Sequence, residues 1–214
     1  MEEINNDVML MGGLVQEAVD DAVKAFMEMD AGLAQKVIER DVKIDEMDIS
    51  IEEKCIIIQA EHQPVARDLR YLHSICVIIK SLERIGDLAV NVAKVVKKMA
   101  KNSLKCSDRE IINMIVEMGS IVKSELNGAI ESFKNKSVKI ASKLEKSDDT
   151  VDAIQKMILK KLFSSYNSKK DIGIVTSIVM ASRYLERIGD HSVNIGERVQ
   201  YFLSGDYEVI RDSE

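Results

Sequence analysis

Apolar residues recur at three- and four-residue steps along most of this chain, which is the pattern of amphipathic α-helices. The first such stripe predicts a helix from about Asn5 to Met29. Asp30 is a good N-cap for a second helix, which reaches about Ala60. Pro64 then ends it, because the residue before a proline avoids the helical region. A third helix is predicted to run to about Lys101.

The second half of the chain repeats this pattern at an offset of 107 positions. The matched pairs are Met11 with Met118, Gly12 with Gly119, Val15 with Val122, Ala22 with Ala129, Phe26 with Phe133 and Ala34 with Ala141. Ser107 and Glu110 have the spacing of a capping box, which predicts the start of the second unit.

The repeat predicts an all-α fold, a tandem repeat of two three-helix bundles with six long antiparallel helices. Short connections force neighbouring helices to be antiparallel. We place the first bundle at residues 1–101 and the second at residues 108–204. The pattern leaves open whether the bundles pack end to end or side by side.

One hexapeptide occurs in both units, as Leu82–Asp87 and again as Leu185–Asp190. An asparagine follows each copy by four residues, so an acid, an aspartate and an asparagine share one helix face. These residues are Glu83, Asp87 and Asn91 in the first copy and Glu186, Asp190 and Asn194 in the second. Apolar neighbours continue the same stripe, so we expect this face to point inward.

A second pair of acids lies on the preceding helix of each unit. The pairs are Asp41 with Asp45 and Asp148 with Asp152. Counting residues from each helical turn puts both pairs of a unit at similar height, so four carboxylates can converge in each bundle. Buried carboxylates are costly unless something cationic compensates them.

Such oxygen sites suit iron, manganese, magnesium, calcium or zinc, and four acids carry enough charge for more than one ion. The alternative for any single pair is a solvated helix face. Gly86 and Gly189 are costly inside helices, which indicates close approach of a helix or a ligand. The asparagines could bind metal or could join helices by hydrogen bonds. We expect Arg84 and Arg187 to point off the inward face and to form a salt-bridged surface rather than an anion site, and His191 to be a surface residue rather than a ligand.

The amino-acid composition supports a helical fold and argues against several classes of function. Aromatic residues make up only 4% of the chain and there is one proline, whereas strands favour aromatic residues bounded by turn residues. The net charge of -6 argues against nucleic-acid binding. Three scattered cysteines suggest neither a disulfide framework nor a Cys-x-x-Cys site. No apolar segment is long enough to span a membrane, so we expect membrane contact to be peripheral, through partners.

The two Glu-Arg-Ile-Gly-Asp-x-x-x-Asn motifs, the Asp-x-x-x-Asp pairs and the Pro-Val-Ala-Arg-Asp-Leu-Arg run at 64–70 closely resemble the PhoU family of phosphate-uptake regulators. The resemblance covers essentially the whole chain. It implies two bundles whose acidic motifs bind multinuclear iron or zinc clusters. It also implies a cytoplasmic protein that is often a homodimer and restrains phosphate uptake and the phosphate-starvation response.

The partners that the resemblance implies are the ATPase or membrane subunits of a Pst-type phosphate ABC transporter and a sensor histidine kinase. The chain departs from the family pattern at 167–170, where the second hairpin lacks the Gln-Pro-x-Ala turn. If that turn contacts a partner, the first unit makes the contact.

We therefore expect a regulatory adaptor rather than an enzyme. The alternative is a carboxylate metalloenzyme, either a di-iron oxidase or a metal-dependent hydrolase. Ferritin-like di-iron sites need Glu-x-x-His on two helices, and none of the three histidines here follows a glutamate by three residues. A third reading is a structural scaffold without metal, in which removing the inward acids would stabilise the fold.

Overall fold

The computed structural model describes residues 1–104, 106, 108–166, 168 and 171–206, and within these residues all regular structure is helical. The helices are α1 (Glu2–Glu28), α2 (Ala31–His62), α3 (Ala66–Lys101), α4 (Arg109–Asn135), α5 (Val138–Ala141), α6 (Leu144–Ser165) and α7 (Ile172–Ser204). Six of them are long, as the apolar pattern predicted.

Short polar side chains fix several helix starts. Asp30 accepts hydrogen bonds from the backbone amides of Gly32 and Leu33, at 2.8 and 3.0 Å, and so caps α2 as predicted. Asp108 does the same for α4. The predicted capping box begins at Ser107, which lies outside the described residues, as do most residues of the hairpin at 167–170.

The six predicted long helices are all present, and the fifth of them begins with a separate short turn. It is divided into the single turn α5 and the longer α6, with Leu144 at the start of α6. Two glycines leave a hollow that this side chain fills. A methyl group on Gly196 would lie 2.7 Å from Leu144 Cδ1, and one on Gly128 would lie 3.0 Å from Leu144 Cδ2. The interruption therefore brings Leu144 between α4 and α7.

Helices α1, α2 and α3 pack on one another as the first bundle, and α4 to α7 form the second. The bundles lie side by side, with α3 against α7 and α1 against α4. This settles the arrangement that the sequence left open. One buried apolar core runs through both bundles.

The α1–α4 contact is built from equivalent residues of the two units. A methyl group on Gly12 of α1 would lie 3.0 Å from Ile130 Cδ1 of α4, and one on Gly119 of α4 would lie 2.6 Å from Val23 Cγ1 of α1. Gly119 is Gly12 displaced by 107, and Ile130 is Val23 displaced by the same number. The helices thus meet across an approximate two-fold axis.

Polar pairs at the same contact follow the same symmetry. Lys123 Nζ lies 2.9 Å from Asp20 Oδ1, and Gln16 Nε2 donates to Asn127 Oδ1 at 2.5 Å. Lys123 and Asn127 occupy the positions of Gln16 and Asp20 in the repeat. Among the described residues, no helix is long and apolar enough to cross a membrane.

Candidate metal centre

The four predicted acids of the first bundle lie together between α2 and α3. Burial, followed by repulsion from Asp45, Asp87 and Glu83, raises the pKa of Asp41 to about 6. Burial, followed by repulsion from Asp87, also raises the pKa of Glu83. Asp41, Glu83 and Asp87 are half-buried, whereas Asp45 is exposed. Because each acid affects the others, they form one electrostatic cluster.

Gly86 is the reason that α2 can bring an acid so close to α3. A methyl group on this glycine would lie 3.1 Å from Asp41 Oδ1 and 3.1 Å from Ile44 Cδ1. That is tighter than most side-chain contacts in proteins. The inference of a close approach at this glycine is therefore confirmed, and the approaching group is the Asp41 carboxylate.

Cations reach the first cluster from its edge. Arg84 lies 3.1 Å from Asp87 Oδ2 and 3.4 Å from Glu83 Oε2, on the exposed side of α3. Lys94 lowers the pKa of Asp41 by its charge. Arg84 is thus a salt-bridged residue on the exposed side of α3, as predicted, and its partners are acids of the cluster.

A separate ion pair lies next to the first cluster. Asp48 is 5% exposed and accepts from Lys80 Nζ at 2.5 Å, while Glu52 lies 3.3 Å from the same nitrogen. The other carboxylate oxygen of Asp48 is buried without a hydrogen-bond partner among the described residues. Lys80 therefore compensates a carboxylate that would otherwise be buried alone.

The four predicted acids of the second bundle also lie together, between α6 and α7. Burial, followed by repulsion from Asp190, raises the pKa of Glu186 to about 7. Burial, followed by Asp190 and Asp152, raises the pKa of Asp148 to about 6. Glu186 also accepts a hydrogen bond from Arg183, one turn earlier on α7. Asp190 and Asp152 form the more exposed side of this cluster.

A fifth acid, Glu125 of α4, joins the second cluster and was not predicted. It is 1% exposed, and burial together with repulsion from Asp148 and Asp190 raises its pKa to about 7. Ser147 opposes this shift, although its hydroxyl makes no well-formed hydrogen bond to either carboxylate oxygen. The sequence contained a signal, because Glu125 continues the apolar stripe of α4.

Gly189 has no side chain, and this lets two carboxylates of the second cluster lie close to α7. A methyl group there would lie 2.7 Å from Asp148 Oδ1 and 2.9 Å from Glu125 Oε2. The glycine therefore admits carboxylates from two other helices, α6 and α4. Its equivalent in the first unit, Gly86, admits only one.

Several carboxylate oxygens in these two regions are buried without any hydrogen-bond partner within the described part of the chain. They are Asp41 Oδ1, Asp48 Oδ1, Glu83 Oε2, Glu125 Oε1 and Oε2, Asp148 Oδ1 and Glu186 Oε2. Buried polar atoms are normally paired, so this concentration calls for a partner. Carboxylate oxygens are the ligands that hard cations prefer, and the donor set fits such ions.

As the side chains stand, no three acids, histidines or cysteines among the described residues converge tightly enough to hold one ion. Binding would therefore require carboxylates to rotate about their side-chain bonds. The glutamate side chains have three rotatable bonds each, so such a movement needs no change in the helices. The residues fit a cation in chemistry and in placement, with the final ligand geometry formed on binding.

The two predicted asparagines differ in exposure. Asn91 is half-buried on α3, whereas Asn194 is exposed and lines a cleft of about 320 Å³ between α3 and α7. His191 lines the same cleft and is half-buried, and burial lowers its pKa. The three cysteines are free thiols.

Comparison with known proteins gives a consistent result. Residues 8–96 and 115–199 each match the PhoU domain family. The chain is 37% identical over 209 residues to the phosphate-specific transport system accessory protein PhoU homolog of Pseudomonas aeruginosa, covering 96% of this chain and 84% of that protein. It is 30% identical over 206 residues to the PhoU accessory protein of Escherichia coli K12, with coverage of 96% and 84%.

Solved structures give the same result. The crystal structure of PhoU from Pseudomonas aeruginosa matches with a TM-score of 0.90 and 36% identity, covering 96% of this chain and 97% of that one. The phosphate transport system regulatory protein PhoU from Streptococcus pneumoniae matches with a TM-score of 0.87 and 25% identity, with coverage of 96% and 95%.

Proposed function

This chain belongs to the PhoU domain family, and on that premise we propose that it is a negative regulator of phosphate uptake and of the phosphate-starvation response. The relatives are named as accessory proteins of a phosphate-specific transport system, and they align over nearly the whole chain. This full-length agreement is the observation that carries the proposal. The protein acts by binding partners and has no catalytic step of its own.

The partners in this proposal are a phosphate ABC transporter, through its ATPase or membrane subunits, and a sensor histidine kinase. The protein acts as a cytoplasmic adaptor between them, as a homodimer. When phosphate is plentiful, it holds the transporter and the kinase in their restrained states. The names of the relatives support the link to the transporter, and the family resemblance of the motifs supports the link to the kinase.

The acid clusters give the adaptor a metal-dependent structure in this proposal. Iron or zinc fits them best, and manganese or magnesium would suit the same oxygen ligands. The first site comprises Asp41, Asp45, Glu83 and Asp87, and the second comprises Asp148, Asp152, Glu186 and Asp190, with Asn91 and Asn194 at their ends. A bound cation supplies the positive charge that the buried carboxylates lack, which stabilises both bundles.

The regulatory role is tested in a strain that lacks the gene. Phosphate uptake and starvation-gene expression should rise in phosphate-rich medium, and the wild-type gene should restore both. A variant with Glu83→Ala, Asp87→Ala, Glu186→Ala and Asp190→Ala should restore less repression than wild type. Unchanged uptake and expression in the deletion strain would refute the regulatory role.

Metal binding is tested separately, by elemental analysis of protein purified without chelator. Wild type should carry iron, zinc or manganese, and the same quadruple variant should lose it while circular dichroism shows an unchanged helix content. If neither protein carries metal and the variant melts at a higher temperature, the acids are uncompensated charges and the metal proposal fails.

A further inference from the structure

Glu125 is the most deeply buried acid of either cluster, and its carboxylate charge is the least compensated by neighbouring groups. It is 1% exposed, and both of its carboxylate oxygens lack a hydrogen-bond partner among the described residues. Its Oε2 faces the space beside Gly189, where Asp148 Oδ1 also lies. An unpaired carboxylate that is buried to this degree is strongly unfavourable, so its presence indicates that a positive charge enters this space.

The first bundle has no such acid. In the repeat, Glu125 corresponds to Ala18 of α1, which lies in the apolar core. An alanine at this position therefore suits the fold of a PhoU-type unit. The carboxylate is an addition to the second unit and is not a requirement of the bundle.

The charged residues around the two clusters also differ, because the first cluster has a lysine that the second lacks. In the first unit Lys94 faces Asp41 closely enough to lower its pKa. The third helices of the two units align at an offset of 103, as the two hexapeptides do, and this places Glu197 at the corresponding position of the second unit. The second cluster thus combines five acids and lacks an equivalent of this lysine, while Arg183 and Lys156 lie beside its outer acids Glu186 and Asp152.

The protein cations near the second cluster do not supply that charge to Glu125. Arg183 donates its hydrogen bond to Glu186. Lys156 lies 3.8 Å from Asp152 Oδ2, on the exposed side. Neither residue is among the groups that shift the pKa of Glu125. Among the side chains that the structure describes, no cation is paired with Glu125, which favours a compensating cation from outside the chain.

We propose that Glu125 is an additional metal ligand, contributed by α4, and that it makes the second bundle the tighter of the two cation sites. This inference rests on the metal binding in the proposed function, and it adds that the two sites differ in their affinity for the cation. The second site takes ligands from three helices, α4, α6 and α7, whereas the first takes them from two, α2 and α3. Binding at the second site therefore also ties α4 to its own bundle.

The test uses metal-free full-length protein titrated with Zn²⁺ in competition with a chromogenic chelator. Wild type should show a tight and a weaker class of site. Glu125→Ala should weaken the tight class at least tenfold and leave the weaker class unchanged. Asp41→Ala should do the reverse, which makes it the matched control for the first site.

Thermal unfolding supplies a second readout and shows that the variants fold. Without metal, Glu125→Ala should melt at a higher temperature than wild type, because an unpaired buried charge has been removed. With saturating Zn²⁺, it should gain less in Tm than wild type gains. Glu125→Gln, which keeps the volume, should show the same loss of Zn²⁺ affinity.

The possible failures are distinguishable. If wild type binds Zn²⁺ and both Glu125 variants keep the tight class, this inference is wrong while metal binding stands, and Glu125 is a neutral core carboxyl group. If wild type binds no Zn²⁺ at all, both this inference and the metal part of the proposed function are refuted. The regulatory role is judged separately by the deletion strain.

Discussion

Gly119 of α4 lies directly against Val23 of α1, with no room for a methyl group between them. The equivalent pair, Gly12 and Ile130, makes the same contact with the two helices exchanged. These glycines let the first helices of the two bundles approach closely, and they set the side-by-side arrangement of the molecule.

The first prediction concerns this contact. Gly119→Ala would place a methyl group 2.6 Å from Val23 Cγ1, and the stiff β-branched side chain cannot move aside. Overpacking outweighs the gain in helix propensity, so we expect the free energy of unfolding to fall by about 1–2 kcal/mol. Chemical denaturation of the full-length protein measures this change.

Two further glycines provide the controls. Gly12→Ala would place a methyl group 3.0 Å from Cδ1 and 3.3 Å from Cγ1 of Ile130, and because Cδ1 can rotate away we expect a smaller loss than for Gly119→Ala. Gly13→Ala meets nothing within 4 Å and should stabilise the protein by about 0.5–1 kcal/mol through helix propensity alone. Equal effects at Gly119 and Gly13 would contradict the packing argument.

The second prediction concerns pH in the metal-free protein. Burial raises the pKa of Glu125 from 4.5 to about 7, so the folded state holds this proton more tightly than the unfolded state does. Below pH 4.5 the group is protonated in both states and costs nothing. As pH rises to about 7 the unfolded state ionises first, and stability falls by roughly 2–3 kcal/mol from this group.

Denaturant unfolding at pH 5 and pH 7.5, with chelator present, measures this loss. Glu125→Gln cannot ionise, so its stability should fall less between the two pH values. Zn²⁺ should reverse the trend for wild type, because carboxylates bind metal only after losing their protons. A wild-type protein that is more stable at pH 7.5 without metal would contradict the assignment.

The third prediction concerns the space beside the second cluster. Gly189→Ala would put a methyl group 2.7 Å from Asp148 Oδ1 and 2.9 Å from Glu125 Oε2, so both carboxylates must move. We expect it to reduce Zn²⁺ affinity of the second site at least tenfold. Gly86→Ala, with 3.1 Å to Asp41 Oδ1, should reduce affinity at the first site by less. Unchanged titration curves for both variants would show that these glycines serve packing alone.

The fourth prediction concerns the ion pair beside the first cluster. Lys80→Met removes the partner of Asp48, a carboxylate that is 5% exposed. Because the lysine is half exposed, the pair is partly screened, and we expect a loss of about 1–2 kcal/mol in stability. A second substitution, Asp48→Gln, should recover most of that loss. Glutamine is the residue at the equivalent position of the second unit, Gln155. A double variant no more stable than the single one would contradict this account.

The helical fold was predictable because helix periodicity, caps and repeat spacing are local signals. Asp30 and Pro64 marked the ends of α2 to within a few residues. The interruption before Leu144 was not predictable from these signals, since it depends on the hollow that Gly128 and Gly196 leave on neighbouring helices. The side-by-side packing likewise depends on contacts between distant surfaces.

The acid clusters were predictable in part for the same reason. Acids spaced by four residues lie on one face of a helix. Counting residues from the turns predicted that the acid pairs of neighbouring helices lie at similar heights. Glu125 has no acid four residues away and aligns with Ala18, so neither the spacing rule nor the repeat pointed to it. Its role depends on which face α4 turns toward α6 and α7.

The approximate two-fold axis between α1 and α4 means that this single chain has the interface of a symmetric pair. In a pair of identical subunits, every substitution appears twice and must be tolerated in both places. Joining the halves in one polypeptide lifts that restriction. A glutamate can then arise opposite one set of acids while its counterpart stays alanine, and the two halves become free to specialise.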